Sequence, residues 1–171
     1  MRLRLKTTLP ISAILIHVFL SPAFSDDLLR QKIAQMFILG FNGTTISDTI
    51  RVDLSQRNLG GVIFMGANCV SPLQVRNLAT AVRSFAQIAP FIAVDEEGGL
   101  VARLNQNNGF GTTVSEYQLG TVWNSTDSTA RQAALMSGWL SSSGFTTDFA
   151  PVVDVNVNPQ SPAIGHFGRG F

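Results

Sequence analysis

Four short apolar runs, each closed by glycine or acid and separated from the next by a helix-like stretch, restrict this chain to few architectures. The runs cover residues 36–41 (MFILGF), 61–65 (GVIFM), 91–94 (FIAV) and about 147–155 (TDFAPVVDV). Helices are expected over 26–35, 46–57, 73–86 and 126–143. Asp26 and Asp27 put acid in the first turn of the first helix, where they suit the positive end of the helix dipole. Ser47 or Thr45 is available to cap the second. Ser71 and Pro72 form a typical entry to the third, whose Leu73, Leu78, Val82 and Phe85 mark one apolar face. The fourth carries Asp127 near its start and ends at Gly144, and its Leu135, Met136, Trp139 and Leu140 are expected core contacts. Strands that alternate with helices imply an α/β fold with a parallel sheet, because each crossover returns the chain to the same end. The Gly- and Asn-rich residues 105–120 hold too many turn formers for a regular element.

The third run ends in the polar phrase FIAVDEEGGLVARL. A continuous apolar run reads as a strand buried on both faces, so Asp95, Glu96 and Glu97 stand where that strand emerges. In parallel α/β folds the carboxyl ends of strands meet the ligand. Gly98 and Gly99 allow the backbone to turn sharply there, and Arg103 offers a planar donor fork. The plainer alternative is an acidic loop after a core strand.

With 171 residues, 45% of them hydrophobic and 13% charged, the chain can bury a core and is expected to form one domain. A net charge of +1 without a downstream basic cluster argues against nucleic acid as a partner. Cys69 is the only cysteine, which excludes an internal disulfide and a cysteine-based zinc cluster, and it reads as a small buried apolar residue. No cluster calls for a metal or a cofactor. Arg2, Arg4 and Lys6 precede an apolar run from Leu9 to Leu20, which is too short to span a bilayer comfortably. Ala23 and Ser25 place small residues where a signal peptidase reads, so residues 1–25 are expected to be a cleaved signal peptide and the product secreted or periplasmic. An uncleaved N-terminal anchor is the alternative, and no stable membrane anchor is expected in the mature chain.

The phrase VDEEGGLVARL, followed some fifty residues later by FAPVVDVNVNPQSPAIGHFGRGF, resembles the N-terminal domain of glycoside hydrolase family 3, especially its bacterial β-N-acetylhexosaminidases. QKIAQMFILGF and LGGVIFM are similar to that family's opening elements, so the resemblance runs over residues 26–171. It implies a (β/α)8 TIM barrel, of which about four βα units, roughly the first half, are present. It also implies a retaining glycosidase that releases terminal β-linked N-acetylhexosamine from a carbohydrate substrate such as a GlcNAc-containing oligosaccharide or peptidoglycan fragment. The family's sugar-holding aspartate falls on Asp95, which as an ionised acceptor can take two hydroxyl donors at once. The arginine that closes the phrase falls on Arg103, expected to bind the sugar or to fix Asp95. The later substrate-binding arginine falls on Arg169, although Gly170 replaces the usual serine after it. Leu100 and Asp148 also depart from the family pattern, where arginine and asparagine are common. Asp154 is expected to be a structural carboxylate.

No catalytic residue is expected within this chain. The family's nucleophilic aspartate and its acid/base histidine both fall downstream, and His166 is not that histidine. Asp95 and Glu97, two apart, are loosely reminiscent of a retaining carboxylate pair, but the resemblance gives them no such role. A complete barrel needs about 250 residues, so the expectation is an N-terminal fragment, inactive alone, with open edges prone to association. The alternative is a short non-catalytic sugar-binding protein or a half-barrel that assembles with a partner. Asn42 and Asn124 head glycosylation triplets of a kind frequent by chance.

Overall fold

The computed structural model describes residues 22–170, so most of the expected signal peptide lies outside the described residues. Four parallel strands stand in the order β1-β2-β3-β4, at Ile38–Gly40, Gly61–Phe64, Phe91–Val94 and Thr147–Asp148. Helices α1 (Pro22–Ala34), α2 (Asp48–Ser55), α3 (Pro72–Phe85) and α4 (Thr126–Ser143) precede them one by one. Sequential, all-parallel strand order with intervening helices is the arrangement of half a (β/α)8 barrel.

Local chemistry starts and stops these elements. Ser47 and Ser71 each accept a hydrogen bond from the N–H three residues on, Ile50 at 3.4 Å and Gln74 at 3.3 Å, and Ser125 does the same for Ser128 at 3.3 Å. Of the two caps open to α2, the chain uses Ser47. Pro72 occupies the first turn of α3, where its missing N–H costs nothing. Gly144 ends α4 in the left-handed conformation.

The core lies between the sheet and helices α2 and α3. Val62 and Phe64 of β2 and Ile92 and Val94 of β3 pack with Ile50, Leu54, Val75, Leu78 and Val82. Phe64 stands edge-on to both Phe41 and Phe145, which ties β1 and the end of α4 to the centre. Ile92, Ala93 and Val94 are all fully buried, as a strand covered on both faces must be. Cys69 is buried as well, and burial pushes its thiol up to about 12, so it is inert at neutral pH.

Several expectations are corrected. Helix α1 begins at Pro22 rather than Asp26, which moves Asp26 and Asp27 out of the first turn; Asp26 pairs instead with Arg30 at 3.2 Å. Leu73 and Phe85 of α3 are exposed, and the buried face is made by Val75, Leu78, Ala79 and Val82. Leu135 of α4 is exposed while Trp139 and Leu140 reach the core, because the outer side of α4 has no neighbouring element among the described residues. Residues 105–123 are not wholly irregular: a 3-10 turn spans Gln106–Asn108 and a π-helical segment Gln118–Trp123. The largest difference is β4, which stops at Asp148 instead of continuing to residue 155. Pro151 has no N–H to offer a ladder, and Val153, Val155 and Val157 are each more than three-quarters exposed.

Candidate functional site

The carboxyl ends of β3 and β4 gather five acids and two arginines, and each acid has a different environment. Asp95 ends β3 and accepts a 3.1 Å bond at Oδ2 from Nη2 of Arg103. Both side chains are about a quarter exposed, at 25% and 26%, so the pair faces solvent without dissolving into it. Glu96 points the other way and is fully buried. Its Oε2 accepts the backbone N–H groups of Arg103 and Leu104, each at 2.8 Å. Glu97 receives Arg169 in a two-pronged contact, Nε to Oε2 at 2.8 Å and Nη2 to Oε1 at 2.7 Å. That geometry is the strong form of the arginine–carboxylate pair, and it holds Arg169 firmly charged.

Two further carboxylates hold the surrounding chain. Asp148, the last residue of β4, accepts the Glu96 N–H at 2.9 Å and so locks the two strand ends together. Burial raises its proton affinity, and the nearby Asp95 and Glu97 add to the effect. Glu116 accepts the Val152 N–H on both oxygens, at 2.9 and 3.0 Å, and thereby anchors the segment after β4. Burial pushes Glu96 and Glu116 each up to about 7 from 4.5.

The turn between the acids and Arg103 depends on glycine. Gly98 and Gly99 have φ of 90° and 61°, in the left-handed region. A Cβ on Gly98 would stand 2.4 Å from the Val114 carbonyl oxygen, and one on Gly99 would stand 2.8 Å from the Ser115 Cβ. The turn closes through mutual N–H to carbonyl bonds between Gly98 and Val101, both 3.2 Å, and brings Arg103 back beside Asp95. A cleft of about 540 Å³ lies alongside, between α4 and β4, lined by Glu97, Glu116, Asp148, Leu119, Met136 and Leu140 among others. Neither Asp95 nor Arg103 lines it, so the cleft and the exposed ion pair are separate features of the same end of the sheet.

Of the three residues singled out from the sequence, Asp95 and Arg103 touch directly, whereas Arg169 reaches Glu97 instead. The sequence places Glu96 and Glu97 beside Asp95 at the ligand-facing end of the strand and marks Asp148 only as a departure from the family pattern, while Glu116 is not singled out. The signal for Glu97 was its place in the D-x-E-G-G phrase; Glu116 sits in a loop with no pattern to single it out.

The family model for the glycosyl hydrolase family 3 N-terminal domain matches residues 28–171. The chain belongs to that family. A beta-hexosaminidase of Alkalilimnicola ehrlichii is 34% identical over 150 residues, which cover 78% of this chain and 42% of that protein. Beta-hexosaminidase A of Pseudoalteromonas piscicida is 35% identical over 127 residues, 71% of this chain and 21% of that protein. The family 3 beta-N-acetylglucosaminidase of Paenibacillus sp. str. FPU-7 superposes with a TM-score of 0.73 at 31% identity, over 78% of this chain and 26% of that one. This family 3 chain thus spans less than half the length of these relatives.

The raised carboxyls of this family 3 domain set its response to pH. In the unfolded chain Glu96 and Glu116 titrate near 4.5, and in the fold near 7. As pH rises from 4.5 to 7 the unfolded state loses protons that the folded state keeps, so stability is highest at the acid end of that window and falls across it. The melting temperature is expected to drop by roughly 5–10 °C between pH 5 and pH 8. Glu116→Gln should flatten the profile. Calorimetry at the two pH values checks this, and a higher melting temperature at pH 8 would show that folding does not raise the proton affinity of the two groups.

Proposed function

We propose that this chain supplies the first sugar subsite of a β-N-acetylhexosaminidase that removes terminal β-linked N-acetylglucosamine with retention. The reading is carried by the Asp95–Arg103 pair, a partly exposed carboxylate with its arginine at the carboxyl end of a buried parallel strand. An ionised aspartate accepts two sugar hydroxyls at once, and the bond from Arg103 to its Oδ2 limits its rotation. Arg169, held by Glu97, supplies a second cation at the same end of the sheet. The beta-hexosaminidase names of the relatives and the beta-N-acetylglucosaminidase name of the Paenibacillus structure support an N-acetylhexosamine as the sugar.

A retaining glycosidase needs a carboxylate nucleophile and an acid/base group on either side of the glycosidic bond. Asp95 and Glu97 do not form that pair in this reading, since each is committed to an arginine. In this reading neither the nucleophile nor the acid/base group is among the 171 residues. Residues 1–25 support delivery of the protein beyond the cytoplasm.

The polypeptide made from the entire coding region is expected to release 4-nitrophenol from its β-N-acetylglucosaminide, with the activity in the periplasm or medium and a mature chain starting at Asp26. The 171-residue chain alone should release none. Preference for the β-glucoside would transfer the assignment to glucose. A second reading, a non-catalytic half-barrel that binds sugar or pairs with a partner, draws support from the exposed valines after β4. It gains if the coding region ends at Phe171 and the product is soluble.

A further inference from the structure

Glu96 is the one acid of the group whose side chain is completely buried. A carboxylate placed there without a task would be a liability, because burying a charge costs several kcal/mol unless it is hydrogen-bonded. Its task is visible in its contacts. Oε2 gathers the N–H groups of Arg103 and Leu104 at 2.8 Å each, while its own N–H is held by Asp148 at 2.9 Å. One residue therefore joins the end of β3, the end of β4 and the returning segment that carries Arg103.

The Arg103 guanidinium, by contrast, is weakly held. Among the described residues its one hydrogen bond is that from Nη2 to Asp95, and its buried Nε meets no partner there. A long side chain with a single hydrogen bond depends on where its backbone sends it, and that backbone is fixed by Glu96 on its N–H and by Asn108, whose Nδ2 donates to the Arg103 carbonyl at 2.6 Å. We propose that Glu96 is a positioning residue: by holding the Arg103 and Leu104 N–H groups it presents the guanidinium to Asp95 and so shapes the sugar subsite. The inference rests on the proposed function for its effect on sugar, but not for its effect on the ion pair.

Only one oxygen of Glu96 is used, since Oε1 is buried and without a partner. An amide can therefore replace the carboxylate, its oxygen accepting the same two N–H groups. Methionine matches the length and fills the space but offers no comparable acceptor. The test compares Glu96→Gln and Glu96→Met in the polypeptide from the entire coding region, alone and combined with Arg103→Ala. Arginine-selective NMR reads the Arg103 guanidinium directly. Wild type and Glu96→Gln should both show its exchange-protected signals, and Glu96→Met should lose them. With 4-nitrophenyl β-N-acetylglucosaminide, Glu96→Met should raise KM about tenfold and change kcat less than threefold. In the Arg103→Ala background the same change should add nothing.

Persistence of the Arg103 signals in Glu96→Met, or a KM effect that adds to that of Arg103→Ala, would overturn the inference. Should Glu96→Met not fold, Glu96→Asp, whose acceptor is one methylene short, must lose the protected signals or the inference fails. If wild type shows no action on the sugar, the proposed function fails, and the NMR comparison still decides the role of Glu96.

Discussion

Asp95→Ala is expected to lower kcat/KM of the complete polypeptide on a β-N-acetylglucosaminide by about 10²- to 10⁴-fold. The estimate follows from two hydroxyl bonds to a charged acceptor, each worth about 1.5–3 kcal/mol, with about 1.4 kcal/mol for each tenfold step. Arg103 occupies only Oδ2 of Asp95, so the carboxylate retains acceptor capacity for ligand. Removing it also leaves the buried Arg103 Nε on a side chain with no hydrogen bond remaining among the described residues. Asp95→Asn keeps the shape and loses the charge, so its loss should be smaller, roughly tenfold to a hundredfold, reflecting the weaker neutral bonds. Steady-state kinetics on folded variants decide the matter. An Asp95→Ala protein within tenfold of wild type would remove Asp95 from the sugar subsite and take the proposed function's main support with it.

Gly98→Ala is expected to destabilise the domain strongly. A side chain at φ of 90° is strained whatever surrounds it, and the added Cβ would lie 2.4 Å from the Val114 carbonyl oxygen and 3.1 Å from the Gln132 Nε2. The backbone oxygen cannot swing aside as a flexible side chain would. Left-handed strain of about 1–2 kcal/mol and overpacking of about 1–3 kcal/mol together predict a loss near 3–4 kcal/mol. In a domain of this size that lowers the melting temperature by roughly 10 °C. Gly138→Ala serves as the comparison, because a Cβ there meets nothing within 4 Å in the middle of α4. That change should raise the melting temperature slightly, by the helix propensity of alanine over glycine, about 1 kcal/mol. Equal melting temperatures for the two variants would show that the turn is not held as described.

The site is an assembly of short-range and long-range decisions. The turn that returns Arg103 to Asp95 spans only eight residues, and the glycine pair between them announces it in the sequence. Arg169 and Glu97 are 72 residues apart, Glu116 and Val152 are 36 apart, and neither pairing has a local signature. The expectation that Arg103 would bind sugar or fix Asp95 left both options open, and the ion pair is present. The Arg169 guanidinium is held by Glu97 and by the Ala163 carbonyl at 2.9 Å.

Periodicity, caps and glycine positions act within a few residues of one another, so the chain by itself determined the order of strands and helices, the entry of α3 at Ser71 and Pro72, the stop of α4 at Gly144 and the acidic tip of β3. The family phrases added the half-barrel. Tertiary structure decided which acid is buried, which is paired and which faces out, because a carboxylate's state depends on neighbours that arrive from other segments. It also decided that β4 ends at Asp148, since a strand extends only as far as partners and N–H donors allow, and Pro151 withholds one.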